Sequence, residues 1–115
     1  MGRGAAPRRG ADPHLTGASH TLEAIDLGCI IETTGSSAVT VTIPTEAVVP
    51  FETGTLINIT QVGSGGTTLQ AAVGVTLNGV AGGSVALTGQ WSGAALTKRG
   101  ADAWIVQGAL AGAVA

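Results

Sequence analysis

Residues 91–108, "WSGAALTKRGADAWIVQG", decide how the rest of the chain is read. The stretch predicts two strands around a tight turn, with a tryptophan near each outer end and the chain's single lysine, Lys98, at the turn. In the turn "RGAD", Gly100 is expected to take a positive φ and Asp102 to act as a local acceptor. In "AWIVQG", Trp104 and Val106 share one face, as core residues of an alternating strand do. Trp104 is therefore placed in the core. Trp91, between Gln90 and Ser92, is left between core, subunit interface and ligand contact.

Working outward, turn glycines and short alternating runs continue along most of the chain. "AVTVTIP" is the clearest: Val39, Val41 and Ile43 face one way, Thr40 and Thr42 the other, and Pro44 ends it. "TLINITQV" is apolar on both faces and reads as a central strand. It is expected to form a hairpin with "TTLQAAV" through the loop "GSGG". "SHTLEAI", "CIIETT" and two short segments within "GVTLNGVAGGSVALTG" complete the set. Pro50 excludes a long helix in "TEAVVPFETG", leaving room for one turn around Glu46–Val49. The expected class is all-β: a small antiparallel β-sandwich or barrel of about eight short strands. "LTG" recurs at Leu15–Gly17 and Leu87–Gly89, a repeat too slight to predict a solenoid.

A length of 115 residues fits one domain, and 19 glycines with three aromatic residues leave its core thin. Such a fold is expected to be completed by neighbours in an oligomer or assembly. The expected division is a flexible basic arm over 1–15, the β-domain over 16–110 and a short tail over 111–115. Arg3, Arg8 and Arg9 against Asp12 make residues 1–14 net basic, whereas the remaining residues are net acidic. The arm reads as a dispensable disordered segment, an attachment arm for an acidic or grooved partner, or a DNA contact. The acidic body is a poor surface for nucleic acid.

The usual parts of an active site are missing. Glu23 and Asp26, and Glu46 and Glu52, lie beside turns and read as solvated surface. His14 and His20 have no identifiable partner, Cys29 reads as a buried inert thiol, and no Cys/His set has metal-ligand spacing. "GSGG" at 63–66 lacks the lysine and helix of a phosphate loop. No apolar run is long enough for a membrane span, and the start lacks the apolar centre of a signal peptide. No enzyme activity, cofactor, metal, membrane or nucleic-acid partner is expected, and synthesis is expected in a cytoplasm.

Taken in order, "HTLEAIDLGCIIETT", "AVTVTIP", "FETGTLINITQVGSGGTTLQAAVGVTLN", "LTGQWSGAALTK" and "ADAWIVQGALA" resemble a small β-domain of tailed-bacteriophage virion proteins, found in capsid decoration, head-fibre and tail-fibre types. The matching positions are Thr21, Leu22, Asp26 and Gly28, then Val39–Pro44, Gly54–Leu77 and Gly89–Gly108, together spanning roughly residues 16–110. Arg99 departs from the pattern, which has an aliphatic residue after the lysine. The resemblance implies a virion structural role without catalytic residues. With no fibre shaft in the chain, it implies a capsid decoration or stabilising protein on the outer capsid surface. Such a protein would be a homotrimer bound to the major capsid protein, with Arg3, Arg8 and Arg9 as the capsid-binding arm. The alternative is a head- or tail-fibre module that binds a host-surface glycan, for which Trp91 would be solvent-exposed.

Overall fold

The computed structural model describes residues 13–115, and within them the protein is all-β: eleven strands in two sheets plus one turn of 3-10 helix. The chain first shuttles between the sheets. It enters one sheet as β1 (Pro13–Thr16), crosses to the other as β2 (His20–Thr21), and returns through the 3-10 turn Ala24–Asp26. It repeats the circuit as β3 (Ile30–Thr33) and β4 (Val39–Ile43), then as β5 (Leu56–Gln61) and β6 (Thr67–Ala71). Successive circuits stack in parallel, β1 on β3 on β5 in one sheet and β2 on β4 on β6 in the other.

The remaining strands close the sheets. β7 (Thr76–Leu77) and β8 (Val80–Ala81) form a small hairpin, and β9 (Ser84–Ala86) pairs antiparallel with β6. β10 (Gly93–Gly100) and β11 (Ala103–Gly108) form the antiparallel hairpin expected from residues 91–108. The orders are β1-β3-β5-β10-β11-β7-β8 and β2-β4-β6-β9. Both sheets are mixed, so the antiparallel arrangement expected from the sequence is corrected. β5 is central, between β3 and β10, but it makes no hairpin with β6, which lies in the other sheet beside β4. β5 is not apolar on both faces either: Ile57 and Ile59 are buried while Leu56 is 46% exposed.

The reason for the parallel stacking lies at the corners. Chain passes between sheets at "TGAS" (16–19), "TGSS" (34–37) and "VGSG" (62–65), and these corners lie directly on one another. A Cβ on Gly35 would stand 2.7 Å from the Gly17 carbonyl oxygen. On Gly63 it would stand 2.2 Å from the Gly35 oxygen, and on Gly65 2.0 Å from the Ser37 oxygen. Only glycine permits backbones to come this close. The closeness is used: Thr34 N–H donates to Thr16 O, Gly63 N–H to Thr33 O and Gly65 N–H to Gly35 O. Polar side chains finish the corner. Thr33 and Thr67, both buried, share a 2.6 Å hydroxyl contact across the two sheets, and Gln61 Oε1 accepts from Thr67 N–H. Buried groups are thus paired, as their desolvation requires.

One core serves both sheets. Ile31, Ile57, Ile59, Leu96, Trp104 and Val106 face Val41, Ile43, Leu69, Ala71 and Val85. Trp104, only 1% exposed, meets Phe51 edge-on at 5.7 Å, so its core assignment stands. The single turn near Glu46–Val49 forms, with Val49 N–H donating to Thr45 O. Residues 111–115 dock along β9: Ala111 N–H donates to Ala86 O, and Ala115 exchanges two backbone bonds with Ser84. The first twelve residues, most of the expected arm, lie outside the described residues; Pro13–Thr16, at its end, is strand.

Candidate interaction surface

Three polar clusters and one exposed aromatic account for most of the chemistry-bearing side chains. The first cluster holds the hairpin turn to the rest of the molecule. Lys98 is 2% exposed, and its ammonium donates to Glu46 Oε1 at 2.7 Å and to the Phe51 carbonyl. Asp102 Oδ1 accepts from Glu46 N–H at 2.6 Å. Three expectations are corrected here. Asp102, not Gly100, carries the positive φ (49°): Gly100 is still strand, paired with Ala103 just past the bulge between Lys98 and Gly100. The Asp102 side chain bonds a distant loop instead of its own turn. Glu46, read as a solvated carboxylate, is the counter-ion of a buried lysine.

The second cluster lies in the first circuit. His20 Nε2 is 2.8 Å from Asp26 Oδ2, and Asp26, fully buried, also accepts from Glu23 N–H. His20 therefore has a partner that the sequence did not reveal. His20, Glu23 and Asp26 bring their donor atoms within 4.8 Å of one another, the set among the described residues that could hold a metal ion. Asp26 Oδ2 is, however, already engaged by two hydrogen bonds, which suits a structural anchor for the 3-10 turn. Cys29 is buried, with its thiol donating to Ile25 O.

Trp91 is placed by a third cluster. Its turn is pinned at four points: Ser92 Oγ donates to Gly89 O, Ser92 N–H donates to Gly89 O, Gln90 Nε2 donates to Val62 O, and Trp91 N–H donates to Gln61 O. The φ of Trp91 is 69°, a left-handed conformation unusual for a bulky residue. Its side chain is 71% exposed, which removes the core from its three readings. Val73, Val48, Leu15 and Leu27 are exposed too, at 95%, 70%, 62% and 56%.

At the other end of β10 lies a groove of about 370 Å³ lined by Ala24, Leu27, Val49, Pro50, Phe51 and Glu52. Sequence reading missed it because it joins two segments far apart in the chain, the 3-10 turn and the loop before β5. The runs of apolar residues beside Pro50 were its only sign. Arg3, Arg8 and Arg9, the expected capsid-binding arm, lie outside the described residues. Among the described residues no helix is long and apolar enough to cross a membrane. No family model, curated protein or solved structure matches this chain.

Proposed function

We propose that this chain is a structural protein of a tailed-bacteriophage virion, a capsid decoration protein that binds the major capsid protein on the outer shell as a homotrimer. The observation that carries the reading is the set of large apolar side chains left in solvent on a small β-domain: Trp91, Val73, Val48, Leu15 and Leu27. A domain this small that buries one shared core and still leaves these side chains in solvent is suited to being covered by neighbours. The two sheets around one core supply a sandwich-like rigid body for such contacts. The polar clusters support the same role, since each ties one segment of the fold to another. In this reading the capsid-binding arm is Arg3, Arg8 and Arg9, and the protein is not an enzyme.

Exposure of Trp91 also favours the second reading, a fibre module that binds a host-surface glycan, because an indole face can stack on a sugar ring. Co-sedimentation separates the two. Full-length protein is expected to pellet with empty capsids of its own phage, and protein lacking residues 1–12, with β1 left whole, to pellet far less. Protein that ignores capsids, together with Trp91 fluorescence quenched by host glycans, overturns the decoration reading in favour of the glycan one.

A further inference from the structure

Residues 75–82, "VTLNGVAG", contain an asparagine–glycine step, Asn78–Gly79. These two residues are the whole loop between β7 and β8, where Leu77 pairs with Val80. Both carry a positive φ, 49° at Asn78 and 80° at Gly79, as a tight two-residue hairpin turn requires. Both are exposed, and the space that a Gly79 side chain would occupy is open, so water reaches the turn.

The step is chemically labile, because glycine has no side chain to shield its nitrogen. Once solvent base has taken its proton, the Gly79 nitrogen can bond to Asn78 Cγ. The Cγ–Nδ2 bond then breaks, and the amide nitrogen takes up a proton and leaves as ammonia. Water adds to either carbonyl of the resulting imide ring and breaks that C–N bond, leaving aspartate or isoaspartate at position 78.

The fold holds the reacting amide elsewhere. Asn78 N–H donates to Trp104 O, the last backbone bond before the chain turns away from β11. From there the side chain continues the ladder: Asn78 Oδ1 accepts from Val106 N–H at 2.8 Å, and Nδ2 donates to Val106 O at 3.2 Å. These bonds keep the amide against β11 and occupy the nitrogen that has to leave. β7 meets β11 over two residues only, at a short strand of the kind that opens locally without global unfolding. Opening still has a cost, since Leu77 is fully buried.

We propose that Asn78–Gly79 is a deamidation site locked by the Asn78–Val106 clasp, and that it reacts when β7 and β8 leave β11. The change is one-way. Aspartate can still accept from Val106 N–H but sets an acceptor against Val106 O, and isoaspartate adds a carbon to a two-residue turn. A chain that has opened and reacted therefore closes less well than before. The site does not depend on the virion role proposed above.

The test follows Asn78 in the full-length chain by intact mass and peptide mapping, at mildly alkaline pH and matched ionic strength. It compares native buffer, low guanidinium that leaves the circular dichroism unchanged, and denaturing guanidinium. A peptide of residues 76–82 sets the unhindered rate. The denatured chain is expected to react at the peptide's rate, and the native chain about tenfold more slowly or less, with low guanidinium between them. Asn58, followed by the β-branched Ile59, is expected to keep its amide throughout. Asn78→Asp, which carries one product directly, should unfold at a lower denaturant concentration than wild type. A native chain that reacts as fast as the peptide, or a native rate that low guanidinium does not raise, overturns the lock. A denatured chain that keeps its Asn78 amide overturns the site, and an Asn78→Asp chain as stable as wild type overturns the loosening.

Discussion

β3 to β6 bury every second side chain, and so do β10 and β11, yet the two regions are held by different means. In the hairpin, partners are near in sequence and the turn itself sets the register. In the stack, β3 and β5 or β4 and β6 are brought together across an intervening visit to the other sheet. Nothing local joins them. Their register is set at the corners, where glycines let one circuit rest its backbone on the last, and the Thr33–Thr67 contact then fixes the two sheets together. Similar alternation therefore specifies burial in both regions but topology in only one.

The sharpest way to break this contrast is Gly63→Ala. The added methyl would have to displace the Gly35 carbonyl and the Thr34 backbone, so a loss of at least about 3 kcal/mol, or failure to fold, is expected in urea denaturation. Gly66→Ala, three residues on and with open space around it, should stay within about 0.5 kcal/mol. Equal, mild effects at both would show that the corners do not set the stack.

A smaller effect is expected where the hairpin meets the loop before β5. Glu46→Ala leaves the buried Lys98 ammonium with the Phe51 carbonyl alone, and a cost of about 1–3 kcal/mol is expected, moderated by the partial exposure of Glu46. Adding Lys98→Met should restore part of that loss, since the unpaired cation is then gone. A double variant less stable than Glu46→Ala would mean that Lys98 contributes mainly through packing and its carbonyl bond. Smallest of all is Trp91→Gly, which relieves a left-handed backbone without emptying the core. It should raise the melting temperature of the monomer slightly, by the equivalent of about 1 kcal/mol at most.

The features legible in the sequence were those with local causes. The 91–108 hairpin, the buried Trp104, the end of β4 at Pro44 and the turn around Glu46–Val49 each follow from residues within a few positions. The parallel pairing was not legible, because a period of two says which face is buried and nothing about the direction of the neighbouring strand. Its trace was the series "TGAS", "TGSS", "VGSG", hidden by unequal spacing and obscured by the unrelated "LTG" repeat. The ion pairs failed for a similar reason. Lys98 finds Glu46 from the far side of β5, and His20 finds Asp26 around a turn whose shape depends on burial of that same carboxylate. The groove combines both difficulties, being made of two distant segments that are individually unremarkable.

The position of β5 has a kinetic consequence. It lies between β3, made before it, and β10, made well after it. During synthesis at about 5–20 residues per second, β5 therefore stands for seconds with one edge bare until residues 93–100 emerge. The parallel contacts on its other side carry the entropy of closing long loops and form slowly, whereas the β10–β11 hairpin forms quickly once it is available. Folding of this chain thus waits on its last quarter, and the nascent stack must be kept from pairing with other chains until that hairpin arrives.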